Sequence, residues 1–236
     1  MSLGLIKRVI PAIDIEDFET ARSVVDNFSG DIEYVKIGMQ AFYGYGERII
    51  PYLQDKGLRL FLDLKLCDIP NTVSSAIRSL VRYRFDMLTV HISGGEKMLL
   101  DSTRILKELL PDAGLIGVTI LTSLGDKELS SLGYRDGVKD AIQKMCKIAL
   151  DSGLYGIVCS AKDLDFVKPI VNNRLKIITP GIRLADENSQ DQIRVETPLN
   201  AFRKGSDYIV MGRSLILGDI RGNLERLRIH LLASED

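Results

Sequence analysis

Eight short apolar runs recur along the chain, and each is followed by a longer segment with helical periodicity. An alternation of strand and helix sustained over a whole chain predicts an α/β fold with a largely parallel sheet. The runs lie at 8–14, 33–38, 58–65, 86–92, 115–121, 155–160, 175–181 and 207–212. The helical segments lie at 17–27, 40–55, 71–84, 96–109, 137–152, 162–171, 198–204 and 219–233.

Two arrangements of such a sheet compete, a closed (β/α)₈ barrel and an open doubly wound sheet. Eight units in 236 residues fit the barrel, whose usual size is about 250 residues. The dinucleotide-binding open sheet carries GxGxxG after its first strand, whereas this chain reads "PAIDIED" over 11–17. No Pro/Ser-rich linker divides the sequence. We therefore predict a single (β/α)₈ TIM barrel domain over residues 1–236.

Composition excludes several other classes of protein. The net charge is −1, with 31 basic and 32 acidic residues, so no attraction to nucleic acid or anionic lipid is expected. Neither a signal-peptide core nor an apolar run of membrane-spanning length is present. The three cysteines are scattered without a CxxC spacing, and the chain has two histidines. This pattern predicts a cytoplasmic protein without disulfides or a histidine-rich metal site.

The predicted barrel places its chemistry at the carboxyl ends of the strands. Nearly every strand end offers a polar group, although the strand bodies are apolar. Such a pattern is what a barrel mouth with a binding site should show. In chain order these groups are Asp14, Lys36, Asp63 with Lys65, His91, Thr122 with Ser123, the stretch "TPGIR" (179–183) and the stretch "MGRS" (211–214).

The third strand end carries the densest charge. Asp63 and Lys65 are two residues apart, which on a strand places both on one face. Lys36 comes from the neighbouring strand, and Asp68 follows in the loop. Opposite charges about 4 Å apart interact by roughly 4 kcal/mol at an effective dielectric near 20, which could keep all four groups ionised. Alternatively, these are structural ion pairs at a barrel rim.

Asp68 could instead cap the helix that follows. Pro70 suits the first helical position, which would make Ile69 the cap residue. That placement leaves Asp68 available for a site, although Asn71 is another possible cap.

The last two strand ends suggest a phosphate site. Gly212 would allow close approach of the backbone, and Arg213 could grip phosphate, with Arg183 following the other turn. Barrels often bind phosphate in the loops after strands seven and eight. Alternatively, these are turn glycines and surface arginines. The long polar stretch 183–198 is either a lid or a surface excursion.

The remaining reactive side chains suggest structure rather than chemistry. His91 ends a strand and turns through Gly94 and Gly95, so we expect a structural histidine. Cys67 and Cys159 are interpreted as packing residues, since neither has a histidine nearby in sequence.

Together these motifs resemble the orotidine 5′-phosphate decarboxylase family of the bacterial type. The resemblance covers Asp14 to about Leu217 and is carried by "VKIG", "DLKLCDIPNT", "LTS", "TPGIR…DQIRVETP" and "GSDYIVMGRS". It implies a dimeric (β/α)₈ barrel that uses neither cofactor nor metal. It further implies conversion of orotidine 5′-monophosphate to uridine 5′-monophosphate and carbon dioxide in pyrimidine synthesis.

The resemblance also implies a role for individual residues. Lys65 would protonate C6 and stabilise the carbanion, and Asp63 would lie beside the departing carboxylate. Asp68 and Thr72 would reach into the neighbouring protomer's site, so that the homodimer shares its active sites. The implied substrate contacts are Asp14 and Lys36 for ribose, Thr122 and Ser123 for the pyrimidine, and Gln192, Gly212 and Arg213 for phosphate, with Arg183 alongside.

Two rival functions remain. Sugar-phosphate decarboxylases and hexulose-phosphate synthases share the Asp-x-Lys-x-x-Asp barrel and use Mg²⁺, but they resemble this chain less at 68–72 and 179–183. A non-catalytic nucleotide-binding barrel would be expected to have lost one of the four charges, and all four are present.

Overall fold

Eight parallel strands close into a barrel in the computed structural model, which describes residues 2–28, 30–184 and 196–232, with only the backbone of residues 2 and 3. Each strand pairs with its sequence neighbours, and the first strand pairs with the last. The predicted barrel is thus confirmed and the open sheet is excluded. The strands are β1 (Val9–Ile13), β2 (Tyr34–Gly38), β3 (Arg59–Leu66), β4 (Met87–His91), β5 (Gly114–Val118), β6 (Gly156–Val158), β7 (Lys176–Thr179) and β8 (Tyr208–Met211).

Helices alternate with these strands and form the outer layer. Their bounds are α1 (Ser2–Ile6), α2 (Phe18–Val25), α3 (Met39–Asp55), α4 (Pro70–Leu80), α5 (Glu96–Leu109), α6 (Asp126–Ser131), α7 (Gly137–Asp151), α8 (Leu164–Val171), α9 (Pro198–Arg203), α10 (Arg213–Ile216) and α11 (Ile220–Leu232). The sequence did not predict α1, α6 and α10. None of the three is longer than six residues, and such a length is too short to show a helical period.

The start of α4 determines where the loop after β3 ends. Pro70 occupies the first turn, and Ile69 is the cap residue in an extended conformation. The residue before a proline is pushed towards this region by steric contact with the ring. The expectation that Asp68 is not the cap is therefore confirmed.

The apolar core has two parts, one between the strands and the helices and one inside the barrel. Because strand side chains alternate between the two faces, every second residue of a strand points inward. The inner cluster consists of Ile10, Ala12, Tyr34, Phe61, Met87, Ile116, Ile178 and Val210.

Three polar residues continue the inward-facing positions towards the carboxyl ends of β2, β3 and β4. Each follows an apolar member of the inner cluster by two positions, and each is buried. They are Lys36, Asp63 and Thr89. The barrel interior therefore changes from apolar to polar along the strands.

Aromatic and charged side chains fill the opposite, amino-terminal end of the barrel. The rings of Tyr34 and Tyr208 meet edge to face with centroids 5.4 Å apart. The Arg59 guanidinium lies 4.5 Å from the centre of the Tyr34 ring and pairs with Asp86 at 2.7 Å. These contacts hold the ends of four strands together beneath the apolar layer.

We expect Phe61→Ala to destabilise the fold strongly, because this ring is 1% exposed inside the barrel and its removal leaves a cavity. The expected loss is about 3–5 kcal/mol in the free energy of unfolding, measured by urea denaturation. Tyr43→Ala is the control, since that ring is 74% exposed and should change stability by less than about 0.5 kcal/mol. Equal effects of the two variants would contradict this account of the core.

Candidate active site

A cavity of about 930 Å³ opens at the carboxyl ends of the strands. Its size is in the range of ligand pockets, and residues of the inner apolar cluster form part of its floor. Most of the residues that the sequence predicted for the site line it, namely Asp14, Lys36, Asp63, Lys65, Thr122, Arg183, Gly212 and Arg213. A smaller cavity of about 420 Å³, between Lys7 and Leu58, contains none of them.

Four of the predicted residues do not line this cavity in the single chain. Asp68 and Thr72 lie in the loop after β3 and at the start of α4, where both are exposed. Ser123 is exposed beside Thr122. Gln192 lies outside the described residues.

A chain of alternating charges crosses the cavity floor, and we call Asp14, Lys36, Asp63 and Lys65 the charge chain. The Lys36 ammonium lies 3.5 Å from Asp14 and 3.1 Å from Asp63, and the Lys65 ammonium lies 2.8 Å from Asp63. The inner members Lys36 and Asp63 are 7% and 9% exposed. The expected array of Lys36, Asp63 and Lys65 is thus present, but within one chain Asp14, rather than Asp68, is the fourth member.

The two ammonium groups keep Asp63 ionised. Burial by itself raises the pKa of the Asp63 carboxyl, because a charge is costly away from water. The charges of Lys36 and Lys65, together with their hydrogen bonds, outweigh that effect and hold the pKa below its ordinary value. A buried carboxylate that stays charged at neutral pH is the result.

The end of β3 is not a regular strand, although the sequence predicted one. Leu62 pairs with Leu88 and Leu66 pairs with Val90, so residues 63–65 of β3 lie opposite a single residue of β4. This is a β-bulge, which re-aims side chains and is frequent beside active sites. Lys65 itself has φ +50°, a left-handed conformation that is uncommon for residues other than glycine.

Thr89 is the residue that lies opposite this bulge, and the sequence analysis missed it. Its hydroxyl accepts a hydrogen bond from the Lys65 backbone N–H at 2.8 Å and donates one to Asp63 Oδ1 at 3.1 Å. A signal was present in the sequence, since Thr89 follows Met87 by two residues on the strand next to β3. The sequence analysis named His91, two residues further along β4, as the polar end of this strand.

Gly38 makes room for the outer end of the charge chain. A Cβ atom at this position would lie 2.5 Å from Asp14 Oδ1 and 3.1 Å from the Lys36 ammonium. Any other residue would therefore displace the Asp14 carboxylate. The "VKIG" motif thus provides both a member of the charge chain and the space beside it.

The last two strand ends lie together on the far side of the cavity. Gly181 has φ +77°, and its carbonyl accepts a hydrogen bond from the Glu196 N–H at 3.3 Å. The Arg183 N–H donates to the Glu196 carbonyl at 3.0 Å. These two bonds join the flanks of the stretch 183–198, most of which lies outside the described residues, and so the expectation of a lid there remains untested.

Gly212 and Arg213 complete this side of the cavity. A Cβ atom on Gly212 would meet no atom within 4 Å, so the backbone faces open space. Arg213 is the first residue of α10. The first backbone N–H groups of a helix are not used by the hydrogen bonds within that helix. An open backbone beside two arginines is a suitable surface for an anion.

The remaining reactive residues differ in their environments. Burial, and then the nearby Lys65 ammonium, lower the pKa of His91, while Asp63 acts in the opposite direction. Burial raises the pKa of the Cys146 thiol to about 12 and that of Cys159 well above its ordinary value, as expected for packing residues. The same prediction for Cys67 was wrong, because this residue lies in the loop beyond β3 and is exposed.

Two further observations concern the whole described part of the chain. Over residues 2–28, 30–184 and 196–232, no group of three or more His, Cys, Asp or Glu side chains is placed to hold a metal ion. None of the helices in those same ranges has the length and apolar character needed to cross a membrane.

Comparison with known proteins identifies the family. The sequence model described as Orotidine 5′-phosphate decarboxylase / HUMPS family matches residues 7–219. The chain belongs to this family. Curated relatives named orotidine 5′-phosphate decarboxylase include one from Carboxydothermus hydrogenoformans, 36% identical over 91% of both chains, and one from Bacillus cereus strain G9842, 40% identical over 88% of this chain and 89% of the relative.

Solved structures with similar sequences have the same barrel. Orotidine 5′-phosphate decarboxylase from Lactobacillus acidophilus superposes with a TM-score of 0.82 and 30% identity, covering 94% of this chain and 98% of the other. An uncharacterized conserved protein from Geobacillus kaustophilus gives a TM-score of 0.82 and 31% identity, covering 94% and 99%. The resemblance noted in the sequence is therefore confirmed over nearly the whole length.

The histidines should make the fold less stable as the pH falls below about 7. Burial lowers the folded-state pKa of both His91 and His230, whereas unfolded histidine titrates near about 6.5. Between those values the unfolded chain binds more protons, so the free energy of unfolding decreases as the pH falls.

We expect His91→Gln to flatten that decrease, measured as the free energy of unfolding by urea from pH 7.5 to pH 5.5. His230→Gln should remove the remaining histidine contribution, and the double variant should be flattest. An unchanged slope in both single variants would show that the histidines are not buried in their neutral form.

Proposed function

We propose that this protein is an orotidine 5′-phosphate decarboxylase, a carboxy-lyase that converts orotidine 5′-monophosphate to uridine 5′-monophosphate and carbon dioxide in pyrimidine nucleotide synthesis. The observation that carries the proposal is the Lys65–Asp63 ion pair, 2.8 Å long, on the floor of a nucleotide-sized cavity. The names of the relatives, 36% and 40% identical over most of their length, support it.

The reaction requires a fixed positive charge at one carbon atom. When the bond between C6 and the carboxylate breaks, its electron pair stays on C6 in an orbital outside the ring π system, and carbon dioxide leaves. A preorganised cation beside C6 stabilises that charge in the transition state. Lys65 fits this role, because its ammonium is held by Asp63 and lies at the cavity surface. It then gives its proton to C6 and is reprotonated from water.

The other members of the charge chain have distinct roles in this proposal. Asp63 orients Lys65 and lies beside the substrate carboxylate. Lys36 compensates the charge of Asp63 from the opposite side, with the ammonium 3.1 Å away. Asp14, whose side chain is 50% exposed, is accessible to the ribose hydroxyls together with Lys36. Thr122 lines the cavity and is assigned with Ser123 to the pyrimidine.

The phosphate is assigned to the opposite side of the cavity. Arg183, Gly212 and Arg213 line that side, and Gln192 is expected to join them. Phosphate is remote from C6, yet its binding energy can be used to favour the transition state. The open backbone at Gly212 and the two arginines support this assignment.

A magnesium-dependent sugar-phosphate enzyme is the second candidate, because the description of the matching family includes HUMPS. Its chemistry needs Mg²⁺ to stabilise an enediolate, so a chelator separates the two. The names of the curated relatives favour the nucleotide reaction. The expected independence from metal and cofactor stays a prediction, as do a single domain over residues 1–236 and a cytoplasmic location.

We expect the wild-type protein to lower the ultraviolet absorbance of orotidine 5′-monophosphate equally with and without EDTA. Lys65→Ala should lower kcat by at least about 10³-fold, since it removes both the local cation and the proton donor. Lys147→Ala, which removes an exposed lysine on α7, is the control. Activity that requires Mg²⁺ would favour the sugar-phosphate enzyme, and near-normal kcat for Lys65→Ala would contradict the mechanism.

The exposed loop after β3 supports a dimer with shared active sites. Asp68 and Thr72 are exposed and do not line their own cavity, and Ile69 between them is 67% exposed. A partner chain that covered this loop would remove Ile69 from water, which is favourable. In a two-fold dimer each loop would meet the other protomer's mouth reciprocally. We propose that Asp68 and Thr72 complete the partner's site.

Mixing two inactive variants tests this arrangement. Lys65→Ala and Asp68→Ala homodimers should each be nearly inactive. In a mixed dimer one site carries both defects, whereas the other combines an intact Lys65 with an intact Asp68. Activity should therefore reappear at the rate of subunit exchange, towards a quarter of the wild-type value for random pairing of equal amounts.

Two controls make the mixing experiment decisive. Homodimers that are cross-linked before mixing should stay inactive, and mass spectrometry should report the extent of exchange. Complete exchange without recovered activity would show that Asp68 serves its own protomer.

A further inference from the structure

The Thr89 hydroxyl is hydrogen-bonded to both the Lys65 backbone N–H and the Asp63 carboxylate. It is completely buried on β4, beneath the cavity. The sequence-based assignments gave it no role. Its hydroxyl group lies between the backbone of Lys65 and the side chain of Asp63, two charged residues of the site.

The direction of both hydrogen bonds follows from chemistry alone. The Lys65 backbone N–H is a donor only, so the Thr89 oxygen must accept from it. The Thr89 hydroxyl proton is then available for Asp63 Oδ1, 3.1 Å away, which accepts it as a carboxylate oxygen. Oδ2 of the same carboxylate contacts the two ammonium groups at 2.8 and 3.1 Å. Thr89 therefore hydrogen-bonds Oδ1 of Asp63, whereas the two lysines contact Oδ2.

The same hydroxyl also supports an unusual backbone. Residues 63–65 lie opposite Thr89 alone, because the pairing moves from Leu62–Leu88 to Leu66–Val90. Within this bulge Lys65 has φ +50°, a conformation that persists only where surrounding contacts hold it. Its N–H, which a regular ladder would use, is bonded to the Thr89 side chain instead.

We propose that Thr89 is a positioning residue, whose hydroxyl holds the bulge at Lys65 and the Asp63 carboxylate in the geometry that aims the Lys65 ammonium into the cavity. This inference rests on the proposed decarboxylase function for its kinetic consequence. Packing alone would not require a hydroxyl at this position, since valine has the same shape and suits a strand well.

The decisive comparison is between Thr89→Val, which keeps the shape and removes the hydroxyl, and Thr89→Ser, which keeps the hydroxyl. Thr119→Val is the matched control, because Thr119 is also buried at the end of a strand but its hydroxyl donates to the Val158 carbonyl at 2.7 Å. We expect Thr89→Val to lower kcat about 10²-fold through misplacement of Lys65, with KM changed less than about threefold because the ribose and phosphate contacts remain.

The controls should separate positioning from stability. Thr89→Ser should keep kcat within about threefold of the wild type. Thr119→Val should lower the melting temperature about as much as Thr89→Val does, yet leave kcat unchanged. If the two valine variants lost activity in proportion to stability, a merely structural role would be shown and the proposal overturned.

A pH profile gives a readout that a structural role would not move. The titratable groups around Asp63 are Lys36 on β2, Lys65 on its own strand, His91 on β4 and, across Lys36, Asp14 after β1. Removal of a donor from Asp63 favours its protonated form, so the acid limb of kcat should move to higher pH in Thr89→Val. Thr89→Ser should restore its position.

Crystal structures of the wild type and of Thr89→Val keep the inference testable apart from activity. We expect Lys65 to leave the left-handed region, or its ammonium to move away from Asp63, in the valine variant only. If the wild type fails to decarboxylate orotidine 5′-monophosphate, the proposed function fails, and the structures still decide the role of Thr89. An unchanged Lys65 in Thr89→Val would overturn the inference.

Discussion

The site depends on one carboxylate, Asp63, that is buried between two ammonium groups. Removing a charge from water is costly, and the cost is recovered only when close partners of opposite charge satisfy it. Lys36 and Lys65 do so from two neighbouring positions in the barrel, at 3.1 and 2.8 Å. Each of the three charges therefore requires the other two. Loss of either lysine would leave a buried charge imbalance, and so the three charges stabilise one another as a unit.

The barrel makes this arrangement possible by separating two kinds of interior. The lower interior is apolar, and the rings of Tyr34 and Tyr208 meet edge to face at its amino-terminal end. The upper interior is polar and open to the cavity. Both layers use inward-facing positions of the same strands. The tightly packed apolar layer therefore holds the strands that carry the charged side chains above it. A site built on strand ends is more exact than one carried by free loops.

Much of this organisation could be predicted from sequence. The alternation of apolar runs and helical segments predicted the barrel, since period and length are local properties that survive without knowledge of the fold. The two-residue spacing of Asp63 and Lys65, with Lys36 on the next strand, predicted that three charges would meet. Both predictions use only strand geometry and chain order.

The parts that failed depend on pairing between distant segments. The bulge at 63–65 exists because β3 and β4 lose register opposite Thr89, and no local pattern encodes a register change. Asp68 is exposed in the loop before Pro70 in its own protomer, and its assignment to the partner's site stays a prediction because a single chain does not contain that contact. Very short helices such as α10 leave no periodic signal.

The backbone hydrogen bonds that join Gly181 and Arg183 to Glu196 affect how this fold can change in evolution. Two hydrogen bonds, 3.0 and 3.3 Å long, join the chain where it leaves β7 to the chain just before α9. A connection whose ends are fixed side by side can change in length without moving either element, because doubling the length of a closed loop costs only about 0.6 kcal/mol. Insertions and deletions at this point should therefore change the stability of the barrel little. Selection for a different substrate can then change the sequence of this connection while the barrel stays the same.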